Sequence, residues 1–280
     1  MHWRLIAAWN VCKTCLLVAG GCAAIAAIGW PIGGYRLGSL LVFFALLVAA
    51  AGYWYGDRVV LGMVGARELP LGEAPALHAT VASLAGIAAL PKPKLYLLTD
   101  GFPRAFAVGR GPRGAAIAVS SGLLAAAPPA ELEGLLAHEL AHIRRRDVVV
   151  QTAAVIVAAA LVETSRVGGW LQRALLFVLG PLAAAIVHLL LSPKREFAAD
   201  AAAAALCGSP HGLADALLRL DQAAELLEFR ASPATEPLYT INPFAEEGLA
   251  GLFVTHPAVG ERIRRLRSLD PEWRERLRAA

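Results

Sequence analysis

Charge is what this sequence has least of. Only 17% of its 280 residues are charged, where a soluble domain typically carries about 25%. No basic segment interleaved with aromatics is present, so the +4 net charge gives no ground for nucleic-acid binding. Cysteine is also sparse, at four residues. Cys12-x-x-Cys15 has redox spacing, but it enters an apolar helix, the wrong setting for a thioredoxin-like motif. Apolar filler or an acylation site is the better reading. There is no internal repeat and no long low-complexity linker. The first apolar run is too long for a signal-peptide core and lacks a small-x-small site before a polar start, so it is expected to be retained.

The chain has apolar length instead. Hydrophobic residues make up 57%, and mean hydropathy is +0.56. Leu16 to Ile32 and Leu40 to Tyr55 contain no charged side chain, nor do Val148 to Val162 and Ala174 to Leu191. Each approaches the length that crosses ~30 Å of hydrocarbon, the third being short. The first pair is read as a membrane hairpin. The second pair is read as another hairpin, with buried helices of a core as the alternative. Arg4, Lys13, Arg58, Arg67, Arg144, Arg145, Arg146, Lys194 and Arg195 fall on one side of these segments, and Arg36, Arg166 and Arg173 on the other. The bias toward the first side places both termini in the cytoplasm. The loops on the far side are too short for a receptor domain.

Between the hairpins lies Leu135-Leu136-Ala137-His138-Glu139-Leu140-Ala141-His142-Ile143, an H-E-x-x-H pattern. On a helix, positions four apart point the same way, so His138 and His142 can offer two imidazoles to one Zn²⁺. Glu139 lies about 100° around the helix. A carboxylate there can take a proton from a water activated by the metal and pass it to a leaving amine. Pro128 and Pro129 suit the helix start, Glu131 and Glu133 its positive end, and the three arginines its negative end. Leu132, Leu136, Leu140 and Ile143 share one face, opposite the histidines.

Two histidines leave a catalytic zinc one protein ligand short. Lys194-Arg195-Glu196-Phe197-Ala198-Ala199-Asp200 opens a helical stretch with Glu196 and Asp200 on one face. Glu196 is taken as the third ligand and Asp200 as an acceptor from a ligand histidine. The alternative is a solvated acidic pair beside Lys194 and Arg195.

HExxH, two apolar segments and then R-E-F-x-A-D resembles the HtpX family of membrane zinc metallopeptidases, relatives of the CAAX prenyl endopeptidases. Ala105 to Gly109 and Ile117 to Leu124 are similar to that family's strand pair, and Asn242-Pro243, Leu252-Phe253, Thr255-His256-Pro257, Arg262-Ile263 and Leu266 to its C-terminal signature. Arg104 stands where the family usually has Asn, and Pro193 where a basic residue is common. Pro193 leads us to expect a kink just before Glu196.

The resemblance implies an α-helical membrane protein with a small α+β zincin-like catalytic domain, mostly α, its sheet beside the HExxH helix. It implies a multi-pass protein of the cell (inner) membrane, with a cytoplasmic catalytic domain and one Zn²⁺ per subunit. Its partners would be the lipid bilayer and membrane or misfolded protein substrates, cleaved in protein quality control. A catalytically idle metal-binding scaffold is the alternative, which retention of Glu139 argues against. Substrate would lie along the edge strand Ala105, Phe106, Ala107 and Val108, with Gly109, Gly111 and Gly114 turning that strand into the next. A strand at Leu97 to Asp100 would extend the sheet. His256 and Arg262 would give transition-state or outer support. His256 alternatively opens a helix, and Tyr239 is a further oxyanion donor candidate. His188 either lines an entry path or packs. His2, His78 and His211 have no evident partners in the sequence.

The expected organisation is a membrane hairpin over 1–57, a first catalytic part with a helix from Ala74 to Ala89 over 58–147, a second hairpin over 148–192 and a second catalytic part over 193–280.

Overall fold

The computed structural model describes residues 2–164, 193–226 and 256–270, with isolated positions at 168, 177, 181, 185, 187, 191, 238 and 272. Arg166, Arg173, His188, Tyr239, Asn242, Pro243, Leu252, Phe253 and Thr255 lie outside the described residues, as does most of the fourth apolar segment.

Helix α1 runs from His2 to Met63 and is broken at Gly33 and Gly34, where Gly34 takes φ 65°. A Cβ on Gly29 would stand 3.1 Å from the Gly38 Cα, whereas nine residues of straight helix span about 13.5 Å. The chain therefore folds back on itself, and small residues let the two legs touch. Both legs, Arg4–Ala27 and Gly29–Met63, are long and apolar enough to cross a membrane, with 6% of each hydrophobic window buried. A helix that is apolar all round and exposed all round suits a hydrocarbon solvent. The helix continues past residue 57, and its last turn joins the core through Val60 and Leu61.

Next come β1 (Arg67–Glu68), α2 (Pro75–Ile87), β2 (Lys94–Leu98), β3 (Ala105–Gly109) and β4 (Ala115–Ser120). Strand β2 begins earlier than the expected Leu97 to Asp100. The sheet order is β1-β2-β4-β3, with β2 parallel and β3 antiparallel to β4, so β3 is an edge strand. Every residue of β3 and β4 is buried, because both sheet faces are covered. Alternation divides them. Ala105, Ala107, Ile117 and Val119 pack toward α2 and the HExxH helix. Phe106, Val108, Ala116 and Ala118 pack on Val60, Leu61 and Val155 of the apolar segments.

After the short helix α3 (Ser121–Ala126) come α4 (Pro129–Arg144) and α5 (Asp147–Thr164), then α6 (Lys194–Cys207), α7 (His211–Leu226) and α8 (Val259–Ser268). The sequence reading gave α4 one apolar face. Instead the whole stretch from Gly134 to Ile143 is buried, because α6 and α7 cover the side opposite the sheet. Close approach makes this possible: a Cβ on Gly134 would lie 2.6 Å from Leu213 N, and one on Gly212 2.3 Å from Ala130 O. Leu135, Leu136, Leu140 and Ile143 are fully buried, each contributing about 1.5–3 kcal/mol. Pro193 does not kink a helix. It is the N-cap of α6, and its carbonyl accepts from Glu196 N at 3.1 Å.

Candidate metal centre

The i, i+4 spacing on α4 sets His138 Nε2 and His142 Nε2 3.1 Å apart. Helix α6 crosses beside them and delivers Glu196, whose Oε2 lies 3.5 Å from His138 Nε2 and whose Oε1 lies 3.6 Å from His142 Nε2. Ligand atoms about 2.1 Å from a common tetrahedral centre stand roughly 3.4 Å from one another, so the spacing fits such an ion. The chemistry fits too. Both Glu196 oxygens are buried with no hydrogen bond, meeting only ion-pair contacts of 3.2 to 3.7 Å. The neighbouring basic groups offset the charge of this carboxylate but leave both oxygens without a hydrogen bond, so their lone pairs remain available to a metal ion.

Each imidazole is turned by its other nitrogen. His138 Nδ1 faces Asp200 Oδ1 at 3.0 Å, and His142 Nδ1 faces Asp147 Oδ2 at 3.0 Å. A carboxylate only accepts, so each ring turns an Nδ1 proton toward its acid, and a metal ion that displaced the remaining proton would meet the Nε2 lone pairs. The two carboxylates are themselves held. Arg262 from α8, fully buried, donates to Asp200 through Nε at 2.9 Å and Nη2 at 2.7 Å. Asn10 from the first leg of α1 donates to Asp147 Oδ1 at 2.6 Å and to the Arg145 carbonyl at 3.1 Å. His256 Nδ1 and Arg262 Nη1 stand 3.5 and 3.7 Å from Glu196 Oε2.

Glu139 is buried beside this cluster and accepts from the Ala107 backbone N–H. Burial pushes its carboxyl above the ordinary range, against the pull of His138 and His142. For His142, burial pushes down, but the Glu196 charge and the Asp147 contact outweigh it and hold the ring at about 9. Glu196 stays well below its usual range although burial opposes this, because His142 and His256 face it.

The register of β3 explains the Ala107 contact. Ser120 N donates to Arg104 O and Arg110 N to Gly114 O, so even-numbered residues of β3 turn their backbone groups to β4. Ala105, Ala107 and Gly109 turn theirs to the free edge. There Glu139 takes the Ala107 N–H and Thr152 Oγ1 of α5 takes the Gly109 N–H at 3.1 Å.

The structure thus brings His138, Glu139, His142, Glu196, Asp200, His256 and Arg262 together, with Ala105 to Val108 alongside. Asp147, Asn10 and Thr152 escaped the sequence reading. Asp147 carried a signal, an acid following three arginines five residues after His142. A polar Asn10 in an apolar run was another, since such a group in a membrane helix needs a partner. His78 and His211 have structural partners, Leu69 O at 3.0 Å and Asp270 at 3.0 Å.

Residues 72–270 match peptidase family M48. Relatives described as "Protease HtpX homolog" include one from Persephonella marina, 39% identical over 274 residues, 91% of this chain and 95% of that one. One from Pelotomaculum thermopropionicum is 39% identical over 93% of this chain and 99% of its own. One from Acidiphilium cryptum is 40% identical over 93% and 96%. The crystal structure of S. mikatae Ste24p aligns at a TM-score of 0.49 and 17% identity, over 95% of this chain and 66% of that one. Since the family match runs through every element from α2 to α8, this chain belongs to peptidase family M48 and is a membrane metalloprotease of the HtpX kind.

Proposed function

We propose that the protein is a zinc-dependent endopeptidase acting at the cytoplasmic face of the cell membrane on membrane or misfolded proteins. His138, His142 and Glu196 would hold one Zn²⁺, a Lewis acid that acidifies water and polarises a carbonyl. The observation that carries this reading is the Glu196 carboxylate, buried without a hydrogen bond between two inward-facing imidazole nitrogens.

Glu139 is the general base. Burial raises its carboxyl above the ordinary range, which makes it a stronger base than a solvated carboxylate. It takes a proton from the attacking water and returns it to the leaving amine. Its bond to Ala107 fixes it against β3, so a peptide laid along Ala105 to Val108 brings its scissile amide to the same carboxylate. Pairing through the backbone reads extended shape more than side chains, which suits unfolded substrates of varied sequence. Pairing at Ala107 and at Gly109 requires Glu139 and Thr152 to give up the N–H groups they now hold. Asp200 and Asp147 keep the two imidazoles in the ligand tautomer, and Arg262 and His256 brace Asp200 and Glu196. The quality-control role follows the family resemblance, and the Lys/Arg bias supports the orientation.

The test is zinc content together with casein cleavage by purified protein, wild type beside Glu139→Gln. The variant is expected to keep zinc and fold while losing at least 10²-fold in turnover, about the contribution of a general base. Near-normal cleavage would reject the role of Glu139. Wild-type protein that holds zinc and cuts nothing would point to the idle scaffold instead.

A further inference from the structure

A cleft of about 750 Å³ opens away from the metal centre, at the junction of the second leg of α1 with the catalytic unit. Tyr53 and Trp54 line it together with Arg110, Arg113, Arg144 and Arg146 and the apolar turn from Ala88 to Pro91; among the described residues no acidic side chain lines it. Arg110 lies 4.6 Å over the Trp54 ring and donates to the Trp54 carbonyl at 3.0 Å. Arg113 and Arg146 have no acidic partner among the described residues, so the cleft gathers positive charge.

Two residues of left-handed backbone also border the cleft. Ala89 (φ 53°) and Arg146 (φ 59°) are the non-glycine residues with positive φ among those described, and both line this cleft. Left-handed non-glycine residues persist where surrounding structure over-determines them, and they cluster at ligand clamps. Arg146 follows the end of α4 and Ala89 the end of α2, positions where glycine would be easier. The partial negative charge of those two helix ends is smaller than that of four guanidiniums.

Position decides what the cleft is for. Gly34 to Trp54 spans about 30 Å of helix, a bilayer's hydrocarbon thickness. If the Gly34 turn lies at one face, Trp54 lies at the other, where Trp and Tyr side chains settle among headgroups. Phe43, Phe44, Leu47 and Val48 on the same leg are exposed and offer acyl chains a continuous apolar path to the cleft.

We propose that this cleft seats the headgroup of an anionic phospholipid of the cytoplasmic leaflet. The guanidiniums bind its phosphate, and Tyr53 and Trp54 pack against its glycerol and upper acyl carbons. An acidic peptide would use the arginines but not the aromatic wall or the apolar leg. The proposal rests on the cytoplasmic membrane placement proposed above, but not on its zinc chemistry.

The test is native mass spectrometry of the full chain released from nanodiscs of phosphatidylcholine doped with phosphatidylglycerol. Wild type is expected to retain phosphatidylglycerol in preference to phosphatidylcholine. Arg113→Gln should lower that retention about fivefold, and Arg113→Gln/Arg146→Gln roughly twentyfold, at the usual strength of one basic side chain near an anionic surface. Arg146→Gly relieves the left-handed backbone, so it should keep or raise the melting temperature while losing about fivefold in retention; Arg146→Lys should restore most of it. Equal retention of the two lipids, or unchanged retention in the double variant, overturns the proposal. So does full displacement of phosphatidylglycerol by inorganic phosphate, which marks a soluble-anion site, or by a polyglutamate peptide, which marks a peptide site. Retention is read without proteolysis, so an enzyme found inactive would leave the result standing.

Discussion

Asn10→Ala is expected to weaken metal binding although the residue touches no ligand. Asn10 is buried, and its side-chain amide donates to Asp147 Oδ1 at 2.6 Å and to the Arg145 carbonyl at 3.1 Å. The first bond has a charged acceptor, a class worth about 1.5–3 kcal/mol. Fully expressed in affinity, that would be ~10–100-fold, the loss typical of mutating a direct partner of a ligand histidine. Asp147 keeps its contacts with His142 and with Arg145 at 3.2 Å, so only part of the bond is felt at the metal. We expect roughly 3–10-fold weaker zinc binding, measured by competition with a chromogenic chelator on detergent-solubilised protein. A double-mutant cycle with Asp147→Asn separates the route from general loosening. If Asn10 acts through Asp147, the double variant should bind zinc about as Asp147→Asn alone does. Additive losses, or an unchanged affinity in Asn10→Ala beside a large loss in Asp147→Asn, would refute the coupling of the first membrane leg to His142.

Asp200→Ala should lower zinc affinity about 10–100-fold, because it frees His138 Nδ1, and it leaves Arg262 buried without its carboxylate; equilibrium competition and a melting curve check both effects. Gly134→Ala should destabilise the fold by about 1–3 kcal/mol through overpacking against Leu213, seen as a lower melting temperature; an unchanged melt contradicts the close α4–α7 packing. A single cysteine at exposed Ala125, in a background lacking Cys12, Cys15, Cys22 and Cys207, should resist a membrane-impermeant thiol reagent added to intact cells and react after lysis. Labelling from outside would reverse the orientation drawn from the Lys/Arg bias.

How much of this was legible in the sequence follows from the range of each interaction. HExxH is read from helix period alone, so His138, Glu139 and His142 were visible at once. Glu196 and Asp200 needed a second helix to return to the first, and a four-residue spacing was enough to nominate both. The apolar runs of α1 announced their legs because a membrane span is written into composition. What stayed hidden depends on how chain segments meet. The burial of α4 on all sides requires α6 and α7 to close over it through Gly134 and Gly212, and no single-helix periodicity reports a neighbour. Pro193 looked like a kink because proline breaks helices, but a helix that starts there uses the same property as a boundary. The boundaries of β2 were off although Leu95 to Leu98 is an unbroken apolar run, because strand ends are set by pairing with β4, which takes in Lys94 and stops at Leu98.

The hidden contacts share a direction, and that bears on how the enzyme is built. Asn10 reaches Asp147 from the first leg of α1, Thr152 of α5 holds the Gly109 N–H, and Val60 and Leu61 at the end of the second leg back Phe106 and Val108. Each touches the metal centre or the edge strand from the apolar segments. The apolar segments therefore supply one wall of the catalytic unit. A fragment beginning after α1 would lose the donor to Asp147 and expose the Phe106 face of the sheet. Truncation to a soluble piece would then remove support from His142 and β3 together, whatever it did to the distance between enzyme and membrane.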